Sequence, residues 1–209
     1  MNIRTIPVGF LGTNCYLVHD GKYGVVIDPG ADSEKILAAA QEERVEIKSI
    51  FLTHAHFDHV LAVSDIQKKT GAKLVANTAE KQRMCDEYLC WCGSSGGQKF
   101  VPLYADVEID ERGSIDVGKM HFEFMRTPGH TEGSMCIICD NVIFSGDTLF
   151  AGTCGRCDFP GGDCEEILRS LKKLYNLPGD MRVLPGHERE TTLSRERVHN
   201  PYMAEAMRR

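Results

Sequence analysis

Short apolar runs, many of them β-branched, alternate along the chain with segments of helical period. Residues 3–8, 15–19 and 25–27 read as strands, with turns at Gly12 and at Asp20-Gly21. Ser33 fits the N-cap of a helix through Ile36, Leu37 and Ala40. Residues 49–52 form the next apolar run, followed by a helical pattern over 60–69 that Thr70-Gly71 ends, and by a strand at 73–76. Further strands are predicted at 107–109, 121–126, 135–139, 142–144 and 182–184. Ile167, Leu168, Leu171 and Leu174 have helical spacing within 165–175, and 192–199 reads as a last helix. Strands and helices alternate with no linker between them, so the pattern predicts one α/β domain over 1–209. Residues 85–100 break it. They hold three cysteines, the only tryptophan and Gly-Ser-Ser-Gly-Gly, and are expected to form a mobile loop or lid.

Composition adds limits. With 209 residues, 42% of them hydrophobic, the chain has ample material for a core. The formal net charge of −6 disfavours a nucleic-acid partner. No run approaches the length that spans a bilayer, and the first ten residues lack the apolar centre of a secretory leader. Nine scattered cysteines, an odd number, then point to a reducing cytoplasm and mostly free thiols.

The candidate chemistry lies at the ends of predicted strands. Thr53-His54-Ala55-His56-Phe57-Asp58-His59 follows the apolar run Ile50-Phe51-Leu52 and puts four metal-ligand types within six residues. An extended backbone would send His54 and His56 to the same side. Three later segments each carry an apolar strand, a glycine and then a ligand type: Gly129-His130, Gly146-Asp147 and Gly186-His187. Taken alone, a histidine after a Pro-Gly turn is ordinarily a surface residue, and Asp147 a turn residue or helix cap. A cluster such as His54–His59 has little structural use without a metal. Strand ends in α/β folds converge on one crevice, so the four segments together predict a metal site.

These motifs resemble the metallo-β-lactamase superfamily: His-x-His-x-Asp-His, then Pro-Gly-His, Gly-Asp-Thr and Pro-Gly-His, with Val26-Ile27-Asp28-Pro29-Gly30 as its early Asp-x-Gly signature. Residues 127–134, 155–162 and 196–201 resemble the short glyoxalase II-like (hydroxyacylglutathione hydrolase-like) members more narrowly. The resemblance runs from Asn14 to Pro201. It implies a four-layer αβ/βα sandwich with metals at one edge. His54, His56 and His130 would hold one divalent ion, Asp58, His59 and His187 a second, and Asp147 would bridge them. Asp28 would orient a ligand or the bridging water. The nitrogen and carboxylate set suits zinc first, with iron or manganese also compatible.

The expected reaction is hydrolysis of a small acyl-thioester such as S-lactoylglutathione by a hydroxide shared between the metals, with Asp58 helping to orient it. Arg156 either faces a substrate carboxylate or pairs with Asp158 or a loop carbonyl. Longer glyoxalase II enzymes carry a glutathione-binding C-terminal domain, and no counterpart to it is expected after His187. Two further functions fit the same residues. One is a persulfide dioxygenase with a single iron on His54, His130 and Asp147; the other is a non-catalytic metal or redox module. Cys154 and Cys157 form a Cys-x-x-Cys pair, and Cys85, Cys90 and Cys92 lie in the expected lid. They read as free thiols, with a redox switch as the sharper possibility.

Overall fold

A computed structural model describes residues 1–94 and 99–209. Two six-stranded sheets face each other. The first runs β1 (Asn2–Val8), β2 (Thr13–His19), β3 (Tyr23–Ile27), β4 (Glu46–Phe51), β5 (Lys73–Asn77) and β6 (Val107–Ile109) in sequence order. It opens antiparallel through β3 and continues parallel from β3 to β6. The second contains β7 (Arg112–Val117), β8 (Met120–Arg126), β9 (Met135–Cys139), β10 (Val142–Gly146), β11 (Arg182–Pro185) and β12 (Thr191–Thr192). It is antiparallel except for the β10–β11 pair.

Side-chain alternation along these strands divides the core into three. Val25, Ile27 and Phe51 point between the sheets, where Phe51 meets Phe122 and Phe124 edge-on at 5.1 and 5.0 Å. Val26 and Ile50, one position off, point to the other face. There they meet Ile36 and Ala40 of α1 (Ser33–Glu42) and Val63 and Ile66 of α3 (Val63–Thr70). The outer face of the second sheet is covered by α4 (Cys164–Tyr175), α5 (Leu193–His199) and α6 (Pro201–Arg208) through Leu171, Leu174, Leu193 and Met203. The order of layers is therefore helices, sheet, sheet, helices. Strands buried on both faces explain the near-continuous apolar runs in the sequence.

Several details depart from the sequence reading. The helix expected over 60–69 is two pieces, α2 (Phe57–Val60) and α3, because the chain turns at Leu61-Ala62. Strand β7 was not predicted; most of its residues remain at least partly exposed, so its apolar signal is thin. Helix α6 was not predicted either. Its start is nonetheless well specified: Asn200 accepts from the backbone N–H groups of Tyr202 and Met203, and Pro201 opens the first turn. Asp32, rather than Ser33, precedes α1.

The expected lid divides. Its described first part is anchored at Cys90 and Cys92, which are buried in the core beside α2 and α3, and Phe57 N–H donates to the Cys90 carbonyl, while Cys85, Glu87 and Tyr88 are exposed. The remainder, from 95 to 98, lies outside the described residues. No helix among the described residues is long and apolar enough to cross a membrane.

Candidate metal centre

Each predicted ligand leaves a strand at the same edge of the sandwich. β4 delivers residues 54–59, β8 delivers His130, β10 delivers Asp147 and β11 delivers His187. The parallel pairs β3–β4 and β10–β11 place these exits side by side. The local glycines allow the close approach. Gly146 has φ +49°, and a Cβ there would stand 2.3 Å from Thr53 Oγ1. A Cβ on Gly186 would stand 2.3 Å from Asp147 Oδ1 and 2.7 Å from the His59 ring. Any side chain at either position would force the centre apart.

All seven predicted residues come together. His54, His56 and His130 offer ring nitrogens within 4.8 Å of one another, as do the ligand atoms of Asp58, His59 and His187. Asp147 stands between the groups. Its Oδ2 is 3.5 Å from His130 Nε2 and 3.6 Å from His187 Nε2, and its Oδ1 is 3.5 Å from His59 Nε2.

The outer hydrogen bonds aim these groups inward. His130 Nδ1 donates to the Arg156 carbonyl at 2.7 Å, which leaves Nε2 with its lone pair facing the cluster. His59 Nδ1 lies 3.0 Å from Asp28 Oδ2, so its Nε2 also faces inward. Asp28 is itself fixed, accepting from Thr53 N–H at 2.7 Å and Thr53 Oγ1 at 2.6 Å. It sits in the left-handed region with φ 52°, a conformation aspartate tolerates better than most residues. Thr13 Oγ1 donates to Asp58 Oδ2 at 2.8 Å.

The buried polar atoms fit a cation. His54 Nε2, His59 Nε2 and Asp147 Oδ1 are buried without a hydrogen-bond partner among the described residues. Such atoms are costly unless something compensates them, and a divalent ion is what imidazole and carboxylate groups in this arrangement would hold. The electrostatics agree. Burial and the neighbouring histidines push His54 and His56 well below the ordinary imidazole value, which keeps them neutral and able to ligate. Burial also opposes charge on His59, but Asp58, Asp147 and Asp28 outweigh it and push His59 up to about 10. Burial would raise Asp58, yet His59 and His187 hold its carboxyl well below the usual range. The three carboxylates around His59 thus make a pocket that strongly seeks positive charge.

Sequence reasoning missed the supports beneath the first cluster. Glu80, 1% exposed, accepts from Ala55 N–H at 2.9 Å with one oxygen. With the other it accepts from Thr131 Oγ1 at 2.6 Å and Gly133 N–H at 2.9 Å. It thereby ties the backbone between His54 and His56 to the turn that carries His130. Arg83, 2% exposed, lies 3.2 Å from Glu80 and donates to the Leu89 and Pro160 carbonyls. Neither residue carries a local signal of this role. A Glu-x-x-Arg pair on a short turn reads as solvated charge.

One expectation needs revision. Cys157 is disulfide-bonded to Cys164 at the start of α4, with Cα atoms 5.2 Å apart, so it is neither a free thiol nor the partner of Cys154. Cys154 instead turns toward the core of the second sheet. The other seven cysteines are free, Cys90 and Cys92 lying with sulfurs 3.5 Å apart. Arg156 does line the cleft over the centre, but its guanidinium makes paired hydrogen bonds to Asp158 at 2.7 and 2.6 Å.

The superfamily model for metallo-β-lactamases matches residues 8–187. The chain belongs to the metallo-β-lactamase superfamily. It is 33% identical to the hydroxyacylglutathione hydrolase GloC of Haemophilus influenzae, over 97% of this chain and 98% of that one. Among solved structures, the BLEG-1 B3 metallo-β-lactamase aligns with a TM-score of 0.90 at 33% identity, over 97% of this chain and 99% of that one. TTHA1623, solved in a di-iron-bound form, aligns with a TM-score of 0.86 at 34% identity, over 96% and 100%. The protein is a metal-dependent hydrolase of this superfamily.

Proposed function

We propose that the protein hydrolyses small acyl-thioesters with two divalent ions. The observation that carries this reading is the pair of ligand clusters joined through Asp147 on the floor of a cleft of about 530 Å³. His54, His56 and His130 would hold one ion, Asp58, His59 and His187 the other, and Asp147 both. Zinc suits this donor set, and iron and manganese are compatible with it. Bound there, the ions would supply Lewis acidity and make a water more acidic.

The chain's own residues then divide the work. Asp58, kept ionised by its neighbours and fixed by Thr13, orients the attacking water. Asp28 holds His59 in place, and the Arg156 carbonyl holds His130. Hydrolysis forms a bond from the water oxygen to the acyl carbon and breaks the C–S bond. The electron pair leaves on sulfur, giving a carboxylic acid and a thiol. A thiol ionises near pH 8.5, so the thiolate departs without a strong proton donor. That suits a cleft whose conspicuous groups are aromatic rings and metal-ligand types. The similarity to GloC supports the same class.

A single-iron dioxygenase would use His54, His130 and Asp147 and leave Asp58, His59 and His187 without a task. The second cluster favours the two-metal reading. Metal analysis of protein purified without added metal, read beside hydrolysis of S-lactoylglutathione and S-acetyl-N-acetylcysteamine, tests the proposal. About two ions per chain with turnover of either thioester is the expected result. One iron per chain and no thioester cleavage would overturn it.

A further inference from the structure

The walls of the cleft differ in chemistry from its floor. Beside the first cluster, Phe159 meets the His56 ring edge-on at 5.6 Å and packs against Trp91 at 4.0 Å. Beside the second, Phe150 meets the His187 ring at 6.1 Å. Phe10, at the tip of the β1–β2 hairpin, is 68% exposed and stacks at 6.1 Å on Phe57, the neighbour of Asp58. A thioester with its carbonyl over Asp147 would have Trp91 and Phe159 to one side and Phe10 and Phe150 to the other.

Charge is sparse on these walls. Apart from the histidines and aspartates of the floor, the charged residues among the described lining are Arg156 and Glu188. Arg156 is already committed. Asp158 takes two of its N–H groups, and its guanidinium lies 3.9 Å from the centre of the Phe159 ring. A substrate carboxylate would have to compete with Asp158 for the one wall cation, and Glu188 would repel it. Glutathione carries two carboxylates. An exposed aromatic ring such as Phe10 gains instead by covering apolar surface.

If the site is a thioester hydrolase, as proposed above, we infer that its substrates carry an aromatic or branched apolar acyl group on an uncharged thiol arm. The charged glutathione peptide is disfavoured. Trp91 and Phe10 are the residues that set this preference.

The test compares kcat/KM of the metal-loaded enzyme for S-phenylacetyl-N-acetylcysteamine and S-lactoylglutathione. The phenylacetyl thioester is expected to lead by about tenfold or more, the discrimination an apolar pocket can supply. Trp91→Ala or Phe10→Ala, whichever side chain flanks the acyl arm, should shrink the preference for phenylacetyl over acetyl on the same thiol, acting through KM, with metal content retained. An equal or better rate on S-lactoylglutathione, or a preference unmoved by both variants, would overturn the inference. Trp91 is the only tryptophan, so its fluorescence reports binding without turnover. Inert S-phenethyl-N-acetylcysteamine should quench it at lower concentration than S-methylglutathione. If neither thioester is cleaved, the hydrolase reading fails. Tighter binding of the phenethyl thioether would then still uphold the apolar preference, and equal or weaker binding would end it.

Discussion

The two halves of the metal centre are built differently. The His54, His56 and His130 cluster is all imidazole and lies deep, each residue 5% exposed or less. Buried scaffolding holds it: Glu80 beneath, the Arg156 carbonyl behind His130, Thr53 beside His54. The Asp58, His59 and His187 cluster contains a carboxylate and opens toward the cleft, with the His187 side chain 25% exposed. The first half is buried and holds no carboxylate; the second carries Asp58 and is more accessible. In the two-ion reading proposed above, such an asymmetry would let one ion be held by geometry and the other by charge, with Asp147 coupling them.

The largest expected effect comes from removing the coupling. Asp147→Ala should abolish turnover and deplete ions from both clusters, measured by assay and elemental analysis; full activity would sink the bridging assignment. Next, Glu80→Ala strikes the scaffold of the first cluster alone. It strands Arg83 in the interior, a loss of about 3–5 kcal/mol when one partner of a buried pair is removed. Chemical denaturation should show a fall of that size, and a variant as stable as the parent would contradict the role given to Glu80.

A third prediction uses protons. Below pH 6.5 the unfolded chain protonates His54 and His56, whereas the fold keeps both neutral. His59, pushed up to about 10, is charged in both states in that range and adds no slope. The unfolded state therefore binds more protons at these two sites. Chelator-treated protein should lose stability, on the order of 2 kcal/mol per unit, as pH falls between about 6 and 5. A flat profile there would show that these imidazoles are not held neutral. The smallest effect is assigned to Asp28→Asn, which loosens the orientation of His59. It should weaken metal affinity about 10–100-fold, seen in competition with a chromophoric chelator, and an unchanged affinity would remove Asp28 from the centre.

The same contrast governs what could be read from sequence. All seven candidate ligands were legible because each follows an apolar strand at a short, fixed distance, four of them in one loop. The glycines at 129, 146 and 186 marked where the backbone had to come close. Glu80 and Arg83 were not legible, since their partners at Ala55, Thr131 and Pro160 are distant in sequence and nothing near them signals burial. The Cys157–Cys164 bond was hidden by the nearer Cys-x-x-Cys spacing, which says nothing of where α4 begins. Strand β7 escaped because an edge strand needs few apolar residues. Helix α6 escaped because, although Asn200-Pro201 starts it plainly, only Met203 and Ala206 of its residues are buried.

The most direct test of the central claim is anomalous diffraction from crystals of protein that has not been stripped or reloaded, recorded at the zinc, iron and manganese edges. Two peaks about 3.5–4 Å apart, one among His54, His56 and His130, the other among Asp58, His59 and His187, with Asp147 touching both, is the predicted result. A single peak on His54, His130 and Asp147, with the second cluster hydrogen-bonded only to water, would contradict it.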